Sequence, residues 1–192
     1  MKSKNYYIVN AITAYRVISA PVLILLALTG HLEIYKWLLL VSFFTDIIDG
    51  TLARKLHVTS VFGSKLDSIG DDLSFVAAIV GVFAFRQKFI VDNLVWVIVL
   101  LGFYLLQTIL ALIKYGKITS FHTYIAKIAA IAQGSFLLLL FILPQPIHWL
   151  FYAAAIITII DLTEETIILF YLAEWQADVK GLYYVLKKKK PD

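Results

Sequence analysis

Phe43-Phe44-Thr45-Asp46-Ile47-Ile48-Asp49-Gly50, and the later Asp67-Ser68-Ile69-Gly70-Asp71-Asp72-Leu73-Ser74-Phe75, set carboxylates inside apolar sequence. An aspartate at the centre of a membrane helix costs about 2.5–3.5 kcal/mol on insertion scales, and less near the ends. Five in adjacent segments also repel one another, so a cation must compensate them or some must be protonated. Asp46 and Asp49 are three apart and Asp67 and Asp71 four apart, so each pair projects from one helical face. Asp72 falls on a different face from Asp67, as a supporting group or a solvated one.

The surroundings identify these segments as membrane helices. The chain of 192 residues is 61% hydrophobic and 16% charged, whereas soluble domains are about half apolar and about a quarter charged. A span needs about 20 apolar residues, so six fit, at 8–28, 35–53, 67–85, 94–113, 123–143 and 149–172. The expected fold is all-α, a polytopic integral membrane protein of six transmembrane helices forming a single domain over 1–192, without internal repeat. Arg16 interrupts the first apolar run and no small-residue cleavage site follows, which favours a span over a signal peptide. With no cysteine, disulfides and thiolate metal sites are excluded.

Charge then orients the bundle. Fourteen of the 17 lysines and arginines fall on one side, among them Lys2, Lys4, Arg54, Lys55, Lys65, Lys114, Lys117, Lys180 and Lys187 to Lys190. Lys36, Arg86 and Lys88 fall on the other. Basic residues stay inside, so both termini and the aspartates are expected at the cytoplasmic face. The net charge of +4 is thereby a matter of topology, and no nucleic-acid partner is expected. The terminal lysines also suit membrane lipids with anionic headgroups. Tyr35, Trp37, Trp149, Tyr152 and Trp175 are expected in interface belts.

The second span ends and the third begins on the same side, so the two carboxylate pairs reach similar depth. Four carboxylates make a hard, all-oxygen site suited to one or two Mg²⁺ or Mn²⁺ ions. Gly50 lets a ligand approach the backbone, Ala53 keeps that surface low, and Arg54 offers a planar fork for phosphate. Ser64 is placed to cap the third span. A divalent-cation transporter is the competing class, since it too uses intramembrane carboxylates. Its sites lie nearer the midplane, often within repeats.

Asp46-x-x-Asp49-Gly50-x-x-Ala53-Arg54, then eight residues, then Gly63-x-x-x-Asp67-x-x-x-Asp71 resembles the signature of the CDP-alcohol phosphotransferase (phosphatidyltransferase) family at all eight positions. The resemblance implies an enzyme that moves a substituted phosphate from a CDP-linked donor to an alcohol and releases CMP. It implies that Asp46, Asp49, Asp67 and Asp71 hold two divalent metals and that Asp71 is also the general base. Asp49, Gly50, Arg54 and Ser60 would contact the CDP group, with Ala53 and Gly63 leaving room for it.

Asn10-Ala-Ile12-Thr13-Ala-Tyr-Arg16, with Pro21 beyond, is similar to the opening motif of bacterial phosphatidylglycerophosphate synthases, with Ile12 in place of leucine. On that likeness Asn10 and Thr13 face the donor phosphates; otherwise they are helix caps. The same relatives carry Gly-Lys-x-Lys-Thr at the fifth span, where this chain has Ala126-Lys127-Ile128-Ala129-Ala130. Arg16 and Lys127 are left as acceptor-binding cations, with His122 a further possibility.

The expected donor is CDP-diacylglycerol, whose acyl chains stay in the bilayer. Glycerol 3-phosphate is the favoured acceptor, with inositol phosphate, serine or another alcohol as alternatives. The likeness further implies a bacterial inner membrane and a homodimer. Asp161, Glu164 and Glu165 lie outside the signature. They are expected to bind a polyol acceptor, to pair with Arg16 or Lys127, or to line a polar cavity.

Overall fold

The computed structural model describes residues 4–56 and 61–189. Within its helices, the side chains of residues 4, 5, 8, 9, 47, 49–54, 61, 62, 64, 65, 67, 68, 71, 72, 188 and 189 lie outside the description. The described residues form eight helices and no strands: α1 Lys4–Leu28, α2 Leu32–Lys55, α3 Val61–Phe85, α4 Gln87–Asp92, α5 Leu94–Tyr115, α6 Tyr124–Ile142, α7 His148–Tyr171 and α8 Leu182–Lys189. Each expected span coincides with a long helix. Among the described residues, three stretches are long and apolar enough to cross a membrane: Asn10–Leu28, Leu94–Tyr115 and Tyr124–Ile142. Acidic residues interrupt the apolar sequence of α2, α3 and α7.

The chain groups into two compact units. The first is Met1–Val91 with Phe141–Pro144, and the second is Asp92–Leu140 with Gln145–Asp192.

In the first unit α1 packs on α2 and α3. Many of the buried residues of these helices are small: Ser19, Ala20, Ala27, Ser42, Ser74, Ala77 and Ala78. Small side chains bring helix backbones close, which is how helices associate where the hydrophobic effect is weak. Gly30, at φ 78°, ends α1: the His31 N–H returns to the Leu26 carbonyl at 2.9 Å, and α2 begins two residues on. A left-handed residue here closes the helix's last carbonyls. The helix continues through Pro21.

Tyr35 departs from the expected interface belt, because it is wholly buried. Its hydroxyl donates to the Ala77 carbonyl at 3.0 Å. Its ring packs on Phe85 and Phe141, at centroid distances of 5.3 and 5.0 Å. Gly81 makes the room, since a Cβ there would stand 2.0 Å from the Tyr35 hydroxyl.

In the second unit α5 packs on α7, and α7 on α8. One face of α5 is buried through Gln107 and Ala111. The rest exposes Val95, Ile98, Leu105, Ile109, Leu112 and Ile113, an apolar surface suited to lipid chains. Thr123 caps α6, its hydroxyl accepting the Ala126 N–H at 2.9 Å. Ala111, Phe121, Ile168, Leu169, Val179 and Val185 form a core beneath α8.

Candidate active site

The Asp46 carboxylate on α2 pairs with the Arg16 guanidinium on α1. The arginine side chain is 1% exposed and the aspartate 42%. A guanidinium inside apolar surroundings requires such a partner, and the pair compensates Asp46 among the five aspartates. One turn along the same seam, the Ser19 and Ser42 hydroxyls lie 3.0 Å apart. Ser42 is four residues before Asp46, and Ser19 is three after Arg16.

The arginine side chain also runs over α3. A Cβ placed on Gly70 would stand 3.4 Å from Arg16 Cβ and 3.6 Å from its Nε and Cζ. Gly70 lies on the turn of α3 between Asp67 and Asp71. Arg16 thus lies against Gly70 of that turn while bonding Asp46, so one side chain borders both aspartate-bearing turns. Gly70 went unremarked in the sequence. Its signal was available, since a glycine inside a helix costs about 1 kcal/mol against alanine and often marks a close approach.

Asp49, Gly50, Ala53 and Arg54 continue α2, and Asp67 and Asp71 belong to α3; their side chains, with Asp72, lie outside the described residues, as does Ser60 altogether. Among the described residues no group of three or more histidines, aspartates or glutamates is placed to hold a metal ion. Carboxylate oxygens are the donor type that suits a hard divalent cation, and Asp46 is partly open. Gly63 is half-buried in the first turn of α3.

Asn10 and Thr13 are not caps, because α1 begins at Lys4. The Asn10 amide donates to the Tyr6 carbonyl at 2.8 Å, and Thr13 is buried. Ser64 likewise lies within α3 instead of ahead of it.

In the second unit Lys127 sits on α6 with its ammonium 5.5 Å from the centre of the Tyr124 ring. His122 lies 3.7 Å from Asp178. The acidic residues of α7 are held by polar groups of this unit. Asp161 accepts from the Thr123 hydroxyl at 3.2 Å. Glu165 accepts from Gln107 at 2.8 Å and from Thr119 at 3.4 Å. Glu164 accepts the backbone N–H of Leu182 at 2.9 Å and so secures the start of α8.

The profile of the CDP-alcohol phosphatidyltransferase family matches residues 6–160. The match takes in Arg16, the four aspartates and Lys127, and ends just before Asp161. Over 80 residues the chain is 36% identical to a Cereibacter sphaeroides protein named CDP-diacylglycerol--glycerol-3-phosphate 3-phosphatidyltransferase. That stretch is 40% of this chain and 36% of the relative, so the chain spans about a third of the curated relative's length. No solved structure matches the chain.

Proposed function

The chain belongs to the CDP-alcohol phosphatidyltransferase family, and on that premise we propose that it transfers a phosphatidyl group from CDP-diacylglycerol to an alcohol and releases CMP. The observation that supports this reading is Arg16, which lies along Gly70 and bonds Asp46 and so borders both aspartate-bearing turns. Asp46, Asp49, Asp67 and Asp71 would hold one or two Mg²⁺ or Mn²⁺ ions, which when bound neutralise charge on the diphosphate and on departing CMP.

Asp71 takes the proton from the acceptor hydroxyl. The freed oxygen attacks the phosphatidyl phosphorus, a new P–O bond forms, and the bond to the CMP oxygen breaks. Such a base has to stand within hydrogen-bond reach of the acceptor hydroxyl. Asn10, Thr13, Asp49, Gly50, Arg54 and Ser60 bind the CDP moiety, and the small Ala53 and Gly63 admit it.

Glycerol 3-phosphate is the first acceptor to test, because the Cereibacter sphaeroides relative is named for it. Lys127 supplies one cation for its phosphate. The second lysine and the threonine of the related motif are missing, so inositol phosphate, serine and other alcohols belong in the same screen.

We place all six long helices across a bacterial inner membrane, with the termini and aspartates cytoplasmic and the enzyme as a homodimer. The excess of lysine and arginine on one side supports this orientation. Assaying purified full-length protein with Mg²⁺ or Mn²⁺ tests the reading: CMP appears from CDP-diacylglycerol when the correct acceptor is added. CMP release with none of the acceptors overturns it.

A further inference from the structure

We propose that Arg16 is a positioning residue, an internal cation that holds the Asp46 carboxylate in place for metal binding. The inference rests on the reading of Asp46 as a metal ligand. An acceptor-binding cation has to meet an incoming phosphate, but the Arg16 side chain is 1% exposed and bonded to Asp46. Its route is fixed on both sides. On α3 the arginine lies along Gly70, close enough that a Cβ there would stand in van der Waals contact with it. On the α1–α2 seam the Ser19 hydroxyl donates to the Arg16 carbonyl at 3.1 Å and accepts from the Ser42 hydroxyl at 3.0 Å. These contacts fix the register of the seam one turn from the ion pair.

The pair engages one oxygen of Asp46 and fixes the orientation of its carboxylate. Groups that orient a metal-binding side chain in this way typically account for about 10–100-fold in metal affinity. Reach matters as well as charge, because lysine is a shorter, mobile point charge.

Two charge-preserving variants approach the contact from opposite sides. Arg16→Lys shortens the cation, and Gly70→Leu crowds the arginine and displaces it. Gly70→Ala is the control, since its methyl meets Arg16 at ordinary contact distance. Free Mn²⁺ is measured by electron paramagnetic resonance in titrations of the full chain in detergent, alongside CMP release.

Arg16→Lys and Gly70→Leu are expected to weaken Mn²⁺ binding about 10–100-fold, and saturating Mn²⁺ restores most of kcat. Gly70→Ala stays within about 3-fold of the unaltered protein, well below the loss expected on disturbing an orienting group. Each variant is read only as a monodisperse, helical protein, and either one suffices. Wild-type Mn²⁺ affinity in a folded variant, or a lower kcat with an unchanged Mn²⁺ requirement, overturns the inference alone. Absence of Mn²⁺ binding by the unaltered protein overturns the metal assignment and this inference with it.

Discussion

Asp46 carries two burdens at once: it balances a buried guanidinium and stands among carboxylates expected to bind metal. Removing one partner of a buried pair costs about 3–5 kcal/mol, and the partial exposure of Asp46 puts this pair at the low end. Asp46→Asn is therefore expected to lower stability by about 3 kcal/mol, read as a lower melting temperature in detergent without added metal. Adding Arg16→Met removes the charge left behind and is expected to recover most of that loss. A melting temperature unchanged by Asp46→Asn would mean that the pair does not stabilise the seam. The pairing itself was only half legible. The cost of intramembrane carboxylates demanded a cation and Arg16 stood in a span, but its partner depends on the α1–α2 register, which Ser19 and Ser42 help fix.

At the scale of the helices, apolar run length predicted the six long elements well, because burying backbone polar groups in a bilayer leaves little choice but helix. Helix ends were less legible. Asn10 and Ser64 have the chemistry of caps, yet both helices start earlier, since polar residues near the membrane surface prolong a helix at little cost. Tyr35 was misjudged for a similar reason. A tyrosine near a span end suits an interface, and only the contact with Gly81, 46 residues away in the sequence, brings it inside. Gly81→Ala is expected to destabilise the first unit by the roughly 1–3 kcal/mol typical of overpacking. Tyr35→Phe loses a single hydrogen bond, about 1 kcal/mol. Thermal melts of the two variants check this order. In the second unit, Glu164→Ala removes the acceptor for the Leu182 N–H. Limited proteolysis is expected to cut between α7 and α8 faster in that variant, and an unchanged rate would show that α8 is held by its core contacts alone.

For the whole molecule, the signature carried the family and the family profile agrees with it. The acceptor was not legible, because recognising a small polar molecule depends on a few contacts from separate helices and the lysine motif that usually marks it is incomplete. The chain lacks cysteine, so its orientation can be tested with single cysteines. Lys88→Cys is expected to react with an impermeant maleimide from outside intact cells, and Lys117→Cys only in inverted vesicles. The opposite pattern would reverse the assigned topology. The most direct test of the central claim is CMP release from CDP-diacylglycerol and glycerol 3-phosphate by the unaltered protein and by Asp71→Asn, with Mn²⁺ present or chelated. The unaltered protein is expected to release CMP and to stop on chelation, and a folded Asp71→Asn protein to release none; full turnover by Asp71→Asn would mean that Asp71 is not the base.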